Sequence, residues 1–250
     1  MNAKKLSFLL LILVAVACTN RSTSSEQDEM RHWNNVLQQI NALLLENKAR
    51  QTLDLAKQTL PEILESAEKN GTTDTLIYYA RKIFNACGNN YINTKQYKDG
   101  IDYMDSIGNH PLIREHCPHE LLSFKAGLNQ LYGNNPEAVR LAEDYLQLPV
   151  CTSANDFIRQ AEIISGVYMY SGNNLPKAIQ ILEKAIDVYR KGGNFPNMLR
   201  IMSRLGIYYH LSGEYEKAIA TNQEAIATYN DSIAPGNVVI CLLYTSDAAD

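Results

Sequence analysis

The chain has 250 residues and a mass of 28.1 kDa, enough for one or two domains with a sizeable core. Its 23 Lys and Arg against 27 Asp and Glu leave a net charge of −4, which excludes a dominantly basic nucleic-acid-binding surface. Hydrophobic residues make up 46%, with only 13 Gly and 8 Pro, so a chain disordered throughout is excluded as well.

Residues 1–17 read as a secretory signal. Lys4 and Lys5 give a short positive region, and the apolar run from Leu6 to Val16, broken by Ser7, falls short of the roughly 20 residues of a spanning helix. Ala15-Val16-Ala17-Cys18 resembles the lipobox of bacterial lipoproteins, with Ala15 where Leu is usual. The resemblance implies removal of the signal, lipidation of Cys18 and membrane anchoring through that lipid. Ordinary signal cleavage is the alternative. Residues 18–30 are then the lipidated cysteine and a polar tether. The first acidic residue behind Cys18 is Glu26, which favours an exported lipoprotein facing the periplasm over one displayed on the cell surface.

A repeat follows. Ala218-Ile219, Ala225-Ile226 and Tyr229 reproduce Ala178-Ile179, Ala185-Ile186 and Tyr189 forty residues earlier, and Ala138-Val139 with Tyr145 carries the same step once more. Small residues seven apart lie on one helix face two turns along, where a neighbouring helix can approach closely. The preceding helix of the last copy shows Leu205-Gly206 and Tyr209, a turn at Ser212-Gly213, then Tyr215 and Ala218. These offsets are similar to the tetratricopeptide repeat (TPR), with Asn222 where a large apolar residue is usual. The copy ending at Tyr189 has one extra residue in its turn. Gly88, Tyr91, Tyr97 and Gly100 mark an earlier copy, and a weaker one runs from about Trp33 to Leu60 with Thr52 and Ala56 on its second helix. The resemblance spans residues 33 to 233. It implies an all-α fold, a right-handed α-solenoid of antiparallel helix pairs with a period of about 40 residues. Long second helices such as Pro176 to Arg190 account for that period. Gly192-Gly193 suits their end and Pro196 the next start. Tyr91, Tyr97, Tyr168, Tyr209 and Tyr215 fall at packing positions and read as core.

The repeat domain therefore covers residues 31–240. Residues 241–250, Cys241 to Asp250, resemble a translated sequencing adaptor residue for residue, so the natural chain is expected to run on past Ile240. Of the five cysteines, Cys87, Cys117 and Cys151 remain within the repeats. Buried thiols are the expectation there, although an exported setting permits a Cys117–Cys151 bridge.

Signals for chemistry are thin. His110, His116, Cys117 and His119 cluster between helices beside Pro111 and Pro118, but their spacing matches no closed metal site; a solvated loop is the reading. No phosphate loop, nucleophile elbow or His-Glu-x-x-His helix is present. Glu62, Glu65 and Glu68 follow one helix face, whereas an acid/base pair converges from different elements. No enzyme activity and no cofactor are expected.

The resemblance places a binding surface on the first helices of the pairs. Its inner-face offsets fall on Lys82, Asn85 and Asn89, then on Glu120, Ser123 and Gln130. They continue with Arg159 and Glu162, and end with Arg200, Ser203 and His210. That lining is polar and mixed in sign, suited to an extended peptide or the edge of another protein. The Lys/Asn arrangement by which some members grip a terminal carboxylate is not reproduced. The expectation is a non-enzymatic protein–protein scaffold without nucleic-acid binding by this region. The sensory region of a signalling protein, with a histidine-kinase or DNA-binding output module after residue 240, is the alternative.

Overall fold

The computed structural model describes residues 24–149, 154–192 and 195–232. Among these residues every regular element is a helix. Five antiparallel pairs follow in order: α1 (Ser24–Leu45) with α2 (Ala49–Asn70), α3 (Asp74–Asn93) with α4 (Tyr97–Ile107), a short inserted α5 (Pro111–His116), α6 (Pro118–Tyr132) with α7 (Asn135–Gln147), α8 (Ala154–Tyr170) with α9 (Leu175–Gly192), and α10 (Phe195–Leu211) with α11 (Tyr215–Ser232). Each second helix also packs on the first helix of the following pair, and successive first helices touch one another. That is the nearest-neighbour stacking of a solenoid.

One turn recurs within every pair. A left-handed residue stands at Asn47, Lys95, Gly133, Asn173 and Gly213. In four of the five the next amide donates to a carbonyl five residues back, Lys48 to Leu43, Gln96 to Tyr91, Asn134 to Asn129 and Glu214 to Tyr209, which closes the end of the first helix. In the fourth pair Asn174 donates instead to Tyr168, six residues back, absorbing the extra residue seen in the sequence.

The small residues seven apart serve as expected: Ala138, Ala178, Ala185, Ala218 and Ala225 are all buried. Glycine sets the spacing of the first helices. A Cβ on Gly88 would run into the Phe124 ring, and one on Gly127 would stand 2.6 Å from Ile163 Cγ2. Each of these helices thus seats the large side chain of the next. Asn222, the departure from the repeat pattern, lies against Gly206, where a Cβ would come within 2.5 Å of its Oδ1.

The core divides in two. Trp33 through Leu128 form an N-terminal cluster that includes Leu60, Phe84 and Phe124. Ala126 through Ala225 form a C-terminal one around Leu182 and Ile201. Helix α6 contributes to both.

Four sequence readings change. The helix begins at Ser24, inside the stretch read as tether, and Ser66 Oγ donates to Glu29 there at 2.8 Å. The histidine cluster is no loop: Pro111 and Pro118 each open a helix, His110 Nδ1 caps the first by accepting from the Leu112 amide, and Cys117 is buried. Proline suits the first turn of a helix as well as it breaks an interior one. Tyr215 is exposed, its ring 5.3 Å from His210. Helix α9 continues through Gly192, two residues past Arg190. Cys18, Cys151, Gly193 and residues 241–250 lie outside the described residues, so the Cys117–Cys151 bridge that an exported setting permits does too.

Candidate functional site

The inner surface holds two adjoining cavities. The first, about 680 Å³, is lined by Leu37, Ile40, Asn41 and Leu44 of α1, Tyr78, Lys82, Asn85, Asn89 and Asn93 of α3, and Arg159 and Arg200 of α8 and α10. The second, about 690 Å³, lies between α8, α10 and α11, and its lining again includes Arg159 and Arg200, now with Glu162, Ser203 and Arg204. Tyr170, Leu199, Ile207, Tyr208, Ile226 and Tyr229 complete its walls. The two arginines stand where the cavities meet.

Seven of the eleven residues named from the sequence line these cavities: Lys82, Asn85, Asn89, Arg159, Glu162, Arg200 and Ser203. The three on α6 do not. Glu120 is 2% exposed and pairs with Arg81 at 3.2 Å, while Ser123 is buried and donates to the Glu120 carbonyl. Gln130 and His210, near the ends of α6 and α10, line neither cavity. Helix α6 forms the floor over which α3 and α8 are joined, because Arg159 Nε donates to Asn89 Oδ1 at 2.6 Å.

With Glu120 withdrawn, cations predominate in the lining. Arg159, Arg200 and Arg204 gather about the single carboxylate of Glu162. Its Oε2 lies 2.8 Å from Arg200 Nη2 and 3.8 Å from Arg159 Nη1, and its carbonyl accepts from Arg204 Nη1 at 3.3 Å. Burial lowers the Arg159 pKa, and its neighbours Arg200 and Arg204 push it the same way while Glu162 opposes them. Lys82 adds another cation, its Nζ over the Tyr78 ring at 5.7 Å. The groove is cationic in a chain of net charge −4. Arg204 and the Tyr170, Tyr208 and Tyr229 walls were absent from the sequence reading. Arg204 and Tyr208 follow the helical stripe of Arg200, and Tyr170 that of Glu162, and that periodicity was the available signal; Tyr229 comes from α11.

Why the second cavity exists is also a repeat argument. Phe124 and Ile163 stand three residues before Gly127 and Gly166, and each fills the space left by the glycine of the preceding first helix. The corresponding position on α10, three before Gly206, is Ser203. A Cβ on Gly166 would meet nothing within 4 Å. Gly166 and Ser203 therefore leave open the space that Phe124 and Ile163 close beside Gly88 and Gly127.

These helix pairs define an α-solenoid of tetratricopeptide-like repeats. Residues 161–231, from within the fourth pair into the end of the fifth, match the tetratricopeptide repeat family. No curated protein matches the chain in sequence. Two solved structures of nearly identical TPR-like repeats, described as those of a kinesin light chain of Podosopora anserina, share the fold. Both are 12% identical to this chain, with TM-scores of 0.52 and 0.50, over 82% of this chain and 97% and 98% of theirs. MamA of Desulfovibrio magneticus RS-1 overlaps with a TM-score of 0.47 at 14% identity, over 82% of this chain and 98% of that one. Tetratricopeptide repeats are in general protein–protein interaction modules, and the match suggests a scaffold of that kind.

Proposed function

We propose that the chain is a non-enzymatic scaffold, exported and anchored through a lipid on Cys18, facing the periplasm and binding a partner protein along its inner groove. The observation that carries the reading is the pair of adjoining cavities joined at Arg159 and Arg200. A groove lined by long cationic side chains, asparagines and tyrosines suits main-chain and side-chain hydrogen bonding to an extended segment. The sequence signals of residues 1–17 and Cys18 support the anchoring.

A photo-crosslinking residue placed at Asn85, inside the groove, tests the site against the same residue at exposed Lys184 on α9. Partner adducts at Asn85 and none at Lys184 are expected; adducts at Lys184 alone overturn the groove as the binding face. For the anchor, Cys18→Ala is expected to release the protein from membranes and abolish incorporation of a labelled fatty acid. Unchanged membrane retention and labelling overturn it.

A further inference from the structure

The second cavity has features that a merely solvated helix face would lack. It is a space of about 690 Å³ lined in part by Ser203, which stands where Phe124 and Ile163 fill the space beside Gly88 and Gly127. Three guanidinium groups face it against one carboxylate, and repulsion among them is part of what lowers the Arg159 pKa. Tyr208 is buried and lines the cavity, its hydroxyl beside Arg204 and Ser165. Beside these polar groups stand the apolar surfaces of Leu199, Ile207 and Ile226.

We propose that this cavity takes an acidic side chain of an extended partner segment, its carboxylate held between Arg159, Arg200 and Arg204 and the adjoining apolar side chain packed against Ile207. The inference rests on the scaffold reading and supplies the chemistry of the partner. Charge complementarity selects the occupant: a carboxylate brings the cation-rich cluster nearer to balance, whereas a basic or wholly apolar segment would leave the excess positive charge uncompensated.

The test uses the full chain and a short fluorescein-labelled peptide that alternates Glu with Leu and is blocked at both ends. Its twin with Gln in place of Glu serves as the comparison, and fluorescence anisotropy is the readout. The acidic peptide is expected to bind at least about ten-fold more tightly than its twin, with the preference shrinking as salt rises. Arg200→Gln, at an exposed position, is expected to weaken it by roughly ten-fold. Ser203→Ile restores the side chain that Ile163 provides in the preceding pair, so it is expected to fill the cavity and abolish binding while the helical circular dichroism is kept. Should Ser203→Ile fail to fold, Arg204→Gln carries the same test with an expected loss of roughly ten-fold.

Equal binding of the two peptides, no binding of either, or a Ser203→Ile protein that folds and binds as before would each overturn the proposal. A partner crosslinked at Asn85 while the acidic peptide fails to bind would overturn this inference and leave the scaffold reading standing. Loss of both would remove the two together.

Discussion

Arg159 on α8 donates from Nε to Oδ1 of Asn89 on α3 at 2.6 Å, across a sequence separation of 70 residues. The bond passes over α6, and Asn89 is itself oriented by donating its amide to the Asn85 carbonyl at 2.9 Å. A charge-assisted bond of this kind, half-buried, is worth on the order of 1–2 kcal/mol. Asn89→Ala is expected to lower the unfolding free energy by about 1 kcal/mol. A double-mutant cycle with Arg159→Ala should return a coupling of similar size. Strict additivity in urea denaturation would show that the contact contributes nothing in solution.

The glycines of the first helices should respond in opposite directions. Gly88→Ala and Gly127→Ala put a methyl group into the Phe124 ring and against Ile163 Cγ2, and overpacking of this sort costs about 1–3 kcal/mol. Gly166→Ala places its methyl in open space within a helix, where removing glycine gains roughly 0.5–1 kcal/mol. Thermal unfolding of the three variants checks the contrast.

Lys95 occupies a turn position filled by glycine or asparagine in the other four pairs, at a φ of 58°. A lysine there carries a steric cost of about 1 kcal/mol that glycine escapes. Lys95→Gly is therefore expected to raise the melting temperature or leave it unchanged. A clear fall would show that the lysine side chain supplies a contact worth more than the backbone strain.

Much of this was legible in the residues. The alanines seven apart and the Gly-to-Tyr offsets encode close approach directly, because only a small side chain allows it. Packing at Ala178, Ala185 and Ala218 followed as read. The sign of the groove was not legible. Glu120 and Glu162 stand near one another in repeat register, yet one is withdrawn under Arg81 and the other lies beneath Arg200. Both are 2% exposed; which of them borders the groove depends on a partner from another pair, and no offset carries that information. Pro111 and Pro118 misled for a different reason: proline marks a helix start and a loop equally well until the following turn is seen.

Cys87 is buried beside Tyr103, and desolvation pushes its thiol up to about 12; burial likewise raises the Tyr103 phenol. In the unfolded chain a thiol titrates near ~8.5. Below that pH both states keep the proton and stability is unaffected. Above it the unfolded state loses protons first, so stability falls as pH rises from about 8.5 towards 12, by roughly 1.4 kcal/mol per unit. Cys87→Ala removes this component. The stability gap between the two proteins should narrow by about 2 kcal/mol between pH 8 and pH 10. A constant gap would show that the native thiol titrates normally.

The last described pair exposes residues that its predecessor buries. Ile207 and Ile219 are 47% and 46% exposed, whereas Val167 and Ile179, their counterparts forty residues earlier, are 0% and 7% exposed beneath the following helices. Uncovered apolar surface of this kind promotes association. Ile207→Lys with Ile219→Lys is expected to reduce self-association in analytical ultracentrifugation without loss of helix. Val167→Lys, by contrast, should unfold the repeat it lies in.

Helix α6 sends Phe124 and Leu128 into one hydrophobic cluster and Ala126 into the other. The molecule is in this sense two stiff blocks sharing a single wall, with Arg159 and Asn89 as a latch across the open side. A partner that drew Arg159 away from Asn89 would open this latch while leaving the buried residues of both clusters in place.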